Sequence, residues 1–383
     1  MKSFNQDRRQ FISLMLVLGA SPTLLSCKQD GKKSSQQIQE VILGAQGSKA
    51  ETYSLSWMGE NAAQAKIALS GFRGHGASQH PLYPATAIMY GRRPATRSIE
   101  VDLITNEITQ IIKCAPNRHF FGHGCFSKAG TELFTTEAEM QTGKGKIAIR
   151  DAKTYQQIGE YESYGIGPHE IALMPDGKTL VVANGGILTH PDSGRKKLNL
   201  DSMSSSLSYI DVATGKLLGD FKVAEPKASI RHLSVSEEGI VAFAMQLQRS
   251  ATTHDNIVPL GGIHAPNKAI KLLEKPEAII HQMKDYMGSV AVNQRTRTAG
   301  FTSPRGNIVA FWDIDTGEFK GTHSLRDVCG IAVTHQQKDF VISNSFGQLR
   351  QLDAVTLKEN KAQRKVQTTL RWDNHLLMAE MSI

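Results

Sequence analysis

The sequence lacks the signatures of several functional classes. Its longest apolar run is too short for a membrane-spanning helix. Its net charge of +8 forms no long basic run, which disfavours a nucleic-acid-binding protein. It contains no nucleophile motif, phosphate-binding loop, dinucleotide fingerprint, haem-attachment Cys-x-x-Cys-His or EF-hand loop. Because no catalytic motif is present, we expect a binding protein rather than an enzyme, although the sequence leaves both open.

Cysteine is scarce, with four residues in the chain. Cys27 falls in an export signal described below, and Cys114, Cys125 and Cys329 remain. Three thiols cannot all pair internally in an oxidising compartment. One disulfide and one free thiol is the simplest arrangement, but the spacing does not assign the pairing.

The remaining composition is that of an ordinary globular protein, with 40% hydrophobic and 21% charged residues. Thirty-three glycines and 13 prolines among short apolar runs indicate many turns. A length of 383 residues favours two or three domains. That expectation is replaced if a single repeating architecture takes up the whole chain.

The first 27 residues have the pattern of an export signal, in which a basic segment precedes the apolar stretch 11–20. Arg8 and Arg9, followed by x-Phe-Ile, resemble the twin-arginine export motif. Asp7 stands where Ser or Thr is usual. A chance arginine pair in a general secretory signal is the alternative. Either signal places the mature chain outside the cytoplasm.

The signal ends in Leu-Leu-Ser-Cys27, which resembles a lipobox whose cysteine carries the lipid. Leu25 is bulkier than the usual residue at its position, so ordinary cleavage nearby is the alternative. Residues 28–40 are polar and have the composition of a tether. We therefore expect a periplasmic or membrane-anchored protein facing the periplasm, with the folded domain at 41–383.

An internal repeat is the most informative feature of the sequence. In residues 167–184 two short apolar segments flank a Pro-Asp-Gly turn at 175–177, which predicts a β-hairpin. A third strand follows at 206–212, then a turn, then a fourth strand at 217–223. Four antiparallel strands in sequence order form the blade of a β-propeller.

The first-strand segment of this unit recurs at intervals of 41 to 62 residues, which bracket the length of a propeller blade. Its copies lie at 77–79, 124–126, 171–173, 233–235, 290–292, 331–333 and 376–378. The Asp-x-x-Thr-Gly turn after the third strand recurs at 211–215 and 313–317, with a variant at 102–106.

The last copy, 376–378, stands near the chain end and lacks three strands of its blade. Three candidate strands precede the first copy, at 41–45, 52–58 and 66–70. Ring closure through these strands would remove exposed sheet edges. The sequence therefore predicts an all-β, seven-bladed propeller, with six or eight blades as alternatives.

The repeat resembles YVTN-type and quinoprotein-dehydrogenase-like propellers. The whole chain is similar to a bacterial twin-arginine-exported family of unknown function, domain-of-unknown-function family fifteen-thirteen. The segments that carry this resemblance are 122–126, 165–170, 182–187, 189–195, 198–203, 229–233, 303–306 and 372–376. The resemblance implies an association with iron handling, because family members tend to lie beside imelysin-type lipoproteins and di-haem cytochromes. Envelope metal-uptake proteins are therefore the implied partners.

Histidine recurs in the two positions that precede the first-strand segment. Five of the seven blades carry it there, as His75, His123, His169, His232 and His375. The first strand of each blade lines the propeller channel, so these imidazoles should converge. They predict a site for Fe, Cu or Zn, with Glu170 as a ligand or an orienting partner. An organic ligand and a purely structural role are the alternatives.

Other side chains at the same level favour different ligands. Arg231 suits a carboxylate or a phosphate, and Cys329 is either a soft ligand or a small buried residue. Both are candidate cofactor-binding residues. Arg92, Arg93 and Arg305 occupy equivalent loops of other blades, and we expect most of these charges to be solvated.

Two insertions follow second strands, at 185–205 and 246–264, and should cover the channel mouth. We predict an exported, lipid-anchored and monomeric propeller that binds a metal ion or small ligand there, in envelope metal handling. It should contact the membrane only through its anchor. A lyase or hydrolase that uses the channel histidines, and a protein-interaction platform, are the rival functions.

Overall fold

The computed structural model describes residues 38–59 and 62–382, which fold mainly into short antiparallel strands. In chain order the strands are β1 Ile38–Gln46, β2 Ser54–Gly59, β3 Lys66–Leu69, β4 Gly74–Gln79, β5 Thr86–Gly91, β6 Arg97–Asp102, β7 Glu107–Lys113, β8 Arg118–Phe126, β9 Glu132–Glu139, β10 Lys144–Asp151, β11 Gln157–Ile166, β12 Pro168–Leu173, β13 Thr179–Asn184, β14 Ser206–Asp211, β15 Leu217–Lys222, β16 Ala228–Val235, β17 Val241–Leu247, β18 Gly261–His264, β19 Lys271–Leu272, β20 Ser289–Asn293, β21 Thr298–Ser303, β22 Ile308–Asp313, β23 Phe319–Ser324, β24 Val328–Val333, β25 Asp339–Asn344, β26 Gln348–Asp353, β27 Lys365–Val366 and β28 Leu377–Ser382.

Helical structure is sparse in the described part of the chain. One α-helix, α1, spans Glu277–Gln282, and single 3₁₀ turns lie at Ala50–Thr52, Pro191–Ser193, Arg249–Ala251 and Lys361–Gln363. No helix of these residues is long and apolar enough to cross a membrane.

The predicted export signal lies outside the described residues. This applies to residues 1–27, with Arg8, Arg9 and Cys27, and to residues 28–37 of the predicted tether. The processing of the chain therefore stays a prediction. The first strand begins at Ile38, slightly before the predicted start of the domain.

The strands form seven four-stranded antiparallel sheets arranged in a ring. Blades 1 to 6 are β4–β7, β8–β11, β12–β15, β16–β19, β20–β23 and β24–β27, and blade 7 is β28 with β1–β3. The first strand of every blade lies innermost, against the first strands of the neighbouring blades. This architecture confirms the prediction of an all-β, seven-bladed propeller.

Ring closure occurs within blade 7. The C-terminal strand β28 pairs antiparallel with β1, so that Ile42 lies opposite Met378 and Leu43 opposite Leu377. The strands β1, β2 and β3 complete the sheet, as the sequence predicted. Because of this pairing, β1 has a partner strand on both sides and blade 7 has no open edge at the channel.

Burial explains why the repeat is visible in the sequence. The second and third strands of a blade are covered on both faces, as in β13 and β22, and are therefore almost continuously apolar or small. The outer strand β23 alternates between half-buried and exposed residues, because one face meets solvent. The second and third strands therefore lie between two layers of buried side chains.

The Asp-Thr turn after the third strand has a defined hydrogen-bond pattern. Asp211 Oδ1 accepts from the backbone N–H of Thr214 at 2.8 Å, and Gly215 follows with φ of 69°. The same bond forms at the predicted Asp102 and Asp313 turns, and also at Asp151 and Asp353. Tyr155 and Leu357 take the left-handed position in the last two. Without Gly or Asn there, the sequence pattern did not reveal these turns.

The second insertion is shorter than predicted. Residues 261–264 form β18, the third strand of blade 4, so the insertion spans 248–260. The connection between β19 and β20 is instead the longer one, and it carries α1. The apolar run of β18 is too short to be distinguished from a loop by its pattern alone.

No disulfide links the three cysteines of the described chain. Cys114, Cys125 and Cys329 are all free thiols. Each packs with a different apolar cluster, because they lie in different parts of the ring. The expected arrangement of one disulfide and one free thiol is therefore wrong in this structure.

We predict that a chain truncated after Leu376 cannot close the ring. Loss of β28 leaves β1 as an open edge and removes Ala379 and Met381 from the core. Circular dichroism and size-exclusion chromatography should show aggregation and no cooperative thermal transition. The control Glu380→Ala changes an exposed side chain of the same strand and should cost less than about 0.5 kcal/mol. A monomeric truncated chain with the wild-type transition would contradict the closure.

Candidate metal centre at the channel mouth

The five predicted histidines converge in the channel. We call His75, His123, His169, His232 and His375 the histidine cluster. The rings of His232 and His375 have centroids 4.3 Å apart, and those of His75 and His232 lie 5.7 Å apart. Blades 1, 2, 3, 4 and 7 each contribute one imidazole. Side chains far apart in sequence thus meet because equivalent blade positions surround a single axis.

Local irregularity in the inner strands presents these side chains to the channel. The pairing register shifts in β4 between Gly74 and Ala77 and in β8 between Phe120 and Gly124. The inner strands β12 and β16 show the same interruption beside their histidines. An irregular stretch re-aims the side chain that it contains and is frequent at functional sites.

Two glycines make the close approach of the imidazoles possible. A Cβ at Gly76 would lie 2.8 Å from His123 Nδ1, and one at Gly122 would lie 2.8 Å from His75 Cδ2. Gly122 also has φ of 105°, which side chains rarely adopt. Larger residues at either position would therefore separate the first two histidines.

Four of the imidazoles lie close enough together to be candidate ligands of a metal ion. His75, His123, His232 and His375 each offer a ring nitrogen, and these atoms lie within 4.8 Å of one another. The fifth, His169, is within hydrogen-bond distance of His75, with 3.2 Å between their Nε2 atoms. The cluster therefore has four candidate ligands and one imidazole that contacts them.

Oxygen atoms stand near the Nδ1 atoms of these four rings. Glu170 places one oxygen 3.7 Å from His123 Nδ1 and the other 3.4 Å from His232 Nδ1. Asp373 Oδ1 lies 3.7 Å from His75 Nδ1, and Ser289 Oγ lies 3.4 Å from the Nδ1 of His375. Only the Ser289 contact is a hydrogen bond, and the Nδ1 atoms of His75 and His232 have no hydrogen-bond partner. Small shifts of these rings would bring the carboxylate oxygens within hydrogen-bond distance, which would favour the proton on Nδ1.

Several of the remaining nitrogens have no partner in the described chain. The Nε2 atoms of His123 and His375 and the Nδ1 atoms of His75 and His232 are buried and accept or donate no hydrogen bond. Each of the four candidate ligands therefore has one unpartnered ring nitrogen. Burial is also the largest cause that lowers the pKa of all five imidazoles well below the usual value. The rings are therefore neutral near pH 7, which is the state that binds metal ions.

Glu170 lies where the sequence predicted a ligand or an orienting carboxylate. Its Oε2 accepts from the Leu233 backbone N–H at 2.9 Å. Burial raises its pKa, whereas nearby His123 and the Leu233 bond oppose that shift. Its contacts reach Nδ1 atoms, so the carboxylate sits behind the rings rather than among the four candidate ligand atoms.

Asp373 is a site residue that sequence reasoning missed, although it precedes His375 within the segment 372–376. It accepts from Arg73 Nε at 2.9 Å and from Arg92 Nη1 at 2.7 Å. Burial alone would raise its pKa, but Arg92, His75 and Arg73 hold it well below the usual value. The signal was its place two residues before a channel histidine.

The two predicted cofactor-binding residues lie in different surroundings. Arg231 is buried beside the histidine cluster, and its Nε has no hydrogen-bond partner among the described residues. The Cys329 thiol instead lies near the backbone carbonyl oxygen of Trp372 at 3.4 Å and packs with apolar side chains. Burial raises the pKa of this thiol, so it is protonated. The structure does not bring Cys329 into the group of candidate ligands.

The arginines of the neighbouring loops differ in exposure. Arg93, which we expected to be solvated, is only 6% exposed, and Arg305 is exposed. The first insertion reaches the second through Lys197, whose Nζ donates to Gln248 Oε1. The burial of Arg93 depends on packing against blade 2, where its guanidinium lies 5.8 Å from the ring centroid of Phe121.

Comparison with known proteins identifies a family and a fold. The family model described as "Protein of unknown function (DUF1513)" matches residues 69–379. Among 1508 matching solved chains is hydrazine synthase of Kuenenia stuttgartiensis, at 14% identity and a TM-score of 0.60. That match covers 78% of this chain and 89% of the other, and shows a shared fold alone. No curated protein matches the chain.

We predict that Asp373→Ala strongly destabilises the protein. The carboxylate is 3% exposed and pairs with Arg73 and Arg92. Removing one partner of a buried ion pair costs about 3–5 kcal/mol. Urea unfolding should show this loss, whereas Asp192→Ala, which removes a carboxylate that is 89% exposed, should change stability by less than about 0.5 kcal/mol. Equal losses in the two variants would contradict the central role of Asp373.

Proposed function

The chain belongs to the DUF1513 family of proteins of unknown function, and we propose that it binds a transition-metal ion at its channel mouth. The ligands are His75, His123, His232 and His375. The observation that carries this proposal is the group of four ring nitrogens within 4.8 Å of one another. The unpartnered ring nitrogen on each of these four histidines and the nearby carboxylates of Glu170 and Asp373 support it further.

The donor set selects the class of metal. Neutral imidazole is a borderline ligand that suits Zn, Cu and Fe, whereas Mg and Ca prefer oxygen. In a tetrahedral site with metal–nitrogen bonds of 2.0–2.1 Å, ligand nitrogens lie about 3.3 Å apart. The present spacing of up to 4.8 Å would close through shifts of about 1 Å or less in each ring. Fe, Cu and Zn are therefore the candidates.

The surrounding residues would orient and neutralise the site. Glu170 lies 3.4–3.7 Å from the Nδ1 atoms of His123 and His232, and Asp373 lies 3.7 Å from that of His75. Shifts of about 0.5 Å on metal binding would bring these oxygens into hydrogen bonds that orient the rings. These two carboxylates would also offset the charge of a divalent ion. His169 contacts His75 and is available as a fifth ligand or as a further orienting group.

A four-histidine site favours binding over catalysis. Catalytic zinc sites keep a position open for water or substrate, whereas four protein ligands fill a tetrahedral ion. The candidate ligands sit on inner strands and next to them, which are rigid elements suited to fixed coordination. Storage or transfer of the ion therefore fits the donor set better than hydrolysis or elimination.

We place this binding in the cell envelope. The proposal is that the twin-arginine signal exports the chain, that Cys27 anchors it by a lipid, and that envelope metal-uptake proteins are its partners. Iron is the favoured cargo, because the family resemblance points to iron handling. The support for the location is the sequence of residues 1–27, and the support for a metal cargo is the histidine cluster.

Elemental analysis tests the metal site. Protein isolated from its native envelope without a histidine tag should contain about one transition-metal ion per chain. The double variant His123→Ala and His232→Ala should lose it, because two ligands are removed. At a free metal concentration about 100 times Kd, the wild type should gain about 2.7 kcal/mol of stability, and a chelator should reverse the gain.

The matched control for this experiment is His281→Ala, which changes an exposed histidine of α1. It should keep both the metal and the stabilisation. The proposed function would be contradicted if the wild-type protein contained no metal and its melting temperature changed with neither added metal nor chelator.

Cell fractionation tests the proposed location. Replacing Arg8 and Arg9 together by Lys should retain a precursor in the cytoplasm, because the arginine pair is read by the export receptor. Cys27→Ala should release the exported chain from the membrane fraction, whereas Lys28→Ala should leave it attached. Membrane attachment that persists in Cys27→Ala would argue against the lipid anchor.

A further inference from the structure

Two arginines of the channel mouth are buried without a counter-charge. Arg93 is 6% exposed and Arg231 is 7% exposed. Among the described residues, neither guanidinium forms an ion pair or donates a hydrogen bond, and the Nε of Arg231 is fully buried without a partner. By contrast, the buried Arg150 pairs with Glu137. Burial of an unpaired charge is costly, so two such groups side by side require an explanation.

Further cations surround these two guanidinium groups. We call Arg93, Arg195, Lys197, Arg231 and Arg305 the basic cluster. Burial first, and then the charges of Arg231, Arg195 and Arg92, lower the pKa of Arg93. Burial and the charges of Arg231, Arg93, Arg305 and Arg195 likewise lower the pKa of Lys197. The positive groups are therefore near enough to repel one another.

The available negative charge does not balance this cluster. Burial first, and then the charges of Arg92 and Arg73, lower the pKa of Arg195. Asp373 opposes only part of this shift, and its carboxylate already pairs with Arg73 and Arg92. The polar groups that meet the cluster are otherwise uncharged: Lys197 donates to Gln248 Oε1, and Arg305 donates to the Lys284 carbonyl oxygen at 3.4 Å. The ring centroid of Tyr286 lies 5.2 Å from the Arg305 guanidinium carbon. The Tyr286 hydroxyl accepts a hydrogen bond from Asn374 Nδ2 at 2.6 Å. None of these groups is a carboxylate, so the excess of positive charge remains.

The cluster is assembled from separate parts of the ring. Arg93 and Arg305 lie in loops between second and third strands of blades 1 and 5, and Arg231 lies on the inner strand β16. The first insertion supplies Arg195 and Lys197. It is held by Asn199, whose Oδ1 accepts from the Leu188 N–H at 2.7 Å and whose Nδ2 donates to the Gly186 carbonyl at 2.8 Å. The backbone that carries Arg195 and Lys197 is therefore held in place without a ligand.

We propose that the basic cluster binds a small molecule with at least two oxyanion groups, carboxylate or phosphate, with Arg93 and Arg231 as its buried contacts. Guanidinium groups bind both kinds of oxyanion through paired, charge-assisted hydrogen bonds. Arg195, Lys197 and Arg305 contact the outer part of the same ligand. Two oxyanion groups are proposed because the cluster holds five cationic side chains, and a single carboxylate would offset only one of these charges.

This site goes beyond the proposed metal function, since none of its residues is among the four imidazole ligands. Its place is adjacent, because Arg231 directly precedes His232 in the chain. The anion therefore lies next to the histidine cluster. It would also relieve the mutual repulsion of the arginines, which is present in the free protein.

The test uses the full folded chain, prepared free of metal, with citrate, pyrophosphate and acetate as probes at equal ionic strength. Citrate or pyrophosphate should raise the melting temperature and bind in titration calorimetry, whereas acetate should do neither. Arg231→Met and Arg93→Met should each weaken binding about ten- to a hundredfold. A response to citrate alone identifies a carboxylate ligand, and one to pyrophosphate alone a phosphate ligand.

A stability measurement separates this role from a structural one. Without anion, Arg231→Met should melt at or above the wild-type temperature, because it removes an uncompensated buried charge. Lys197→Ala should weaken binding, and the matched control Lys196→Ala, an exposed neighbour in the same insertion, should not.

The double variant His123→Ala and His232→Ala distinguishes this site from the metal site. Anion binding should persist there, because the basic cluster is intact, even if the metal proposal fails. Three results would overturn the inference: no response to citrate or pyrophosphate, an equal response in Arg231→Met, or a response that disappears with the two histidines.

Discussion

The antiparallel pairing of β28 with β1 is the constraint on which the rest of the structure depends. It joins the two ends of the described chain within blade 7 and fixes the inner strands around a common axis. The segment that enters β28 carries Asp373 and His375. Its backbone packs against β1, where a Cβ at Gly44 would lie 2.8 Å from the His375 carbonyl oxygen. Closure of the ring therefore also completes the candidate site.

Burying so many ionisable groups around one axis is costly, because their charges lose solvent and repel one another. Two features of the structure reduce this cost. The imidazoles avoid charge, because burial lowers their pKa and leaves them neutral. Arg73 and Arg92 share the Asp373 carboxylate as their counter-charge. Arg93 and Arg231 are buried but have no carboxylate partner within the described chain. This missing counter-charge is the observation that points to an anionic ligand.

The two clusters at the channel mouth have complementary chemistry. Neutral ring nitrogens offer electron pairs to a cation, whereas guanidinium and ammonium groups offer N–H donors to an anion. They lie next to each other because Arg231 and His232 are consecutive in β16. A metal ion and an oxyanion bound in these positions would attract each other, so each site would strengthen the other if both were occupied.

The sequence by itself determined the architecture and the histidine cluster. The recurring first-strand segment predicted seven blades, and the propeller axis then required the histidines beside it to converge, since equivalent positions face the same channel. The family resemblance and the closing strands also followed from sequence. These features depend on periodic patterns, which each blade repeats.

Only the tertiary structure decided which charges are buried and what they meet. The packing of loops and blades places Asp373 between Arg73 and Arg92 and buries Arg93. It also keeps the three described cysteines too far apart to form a disulfide. The third strand β18, the helix α1 and the turns at Tyr155 and Leu357 were also missed. Their short or irregular patterns are stabilised by long-range contacts, which the local sequence does not specify.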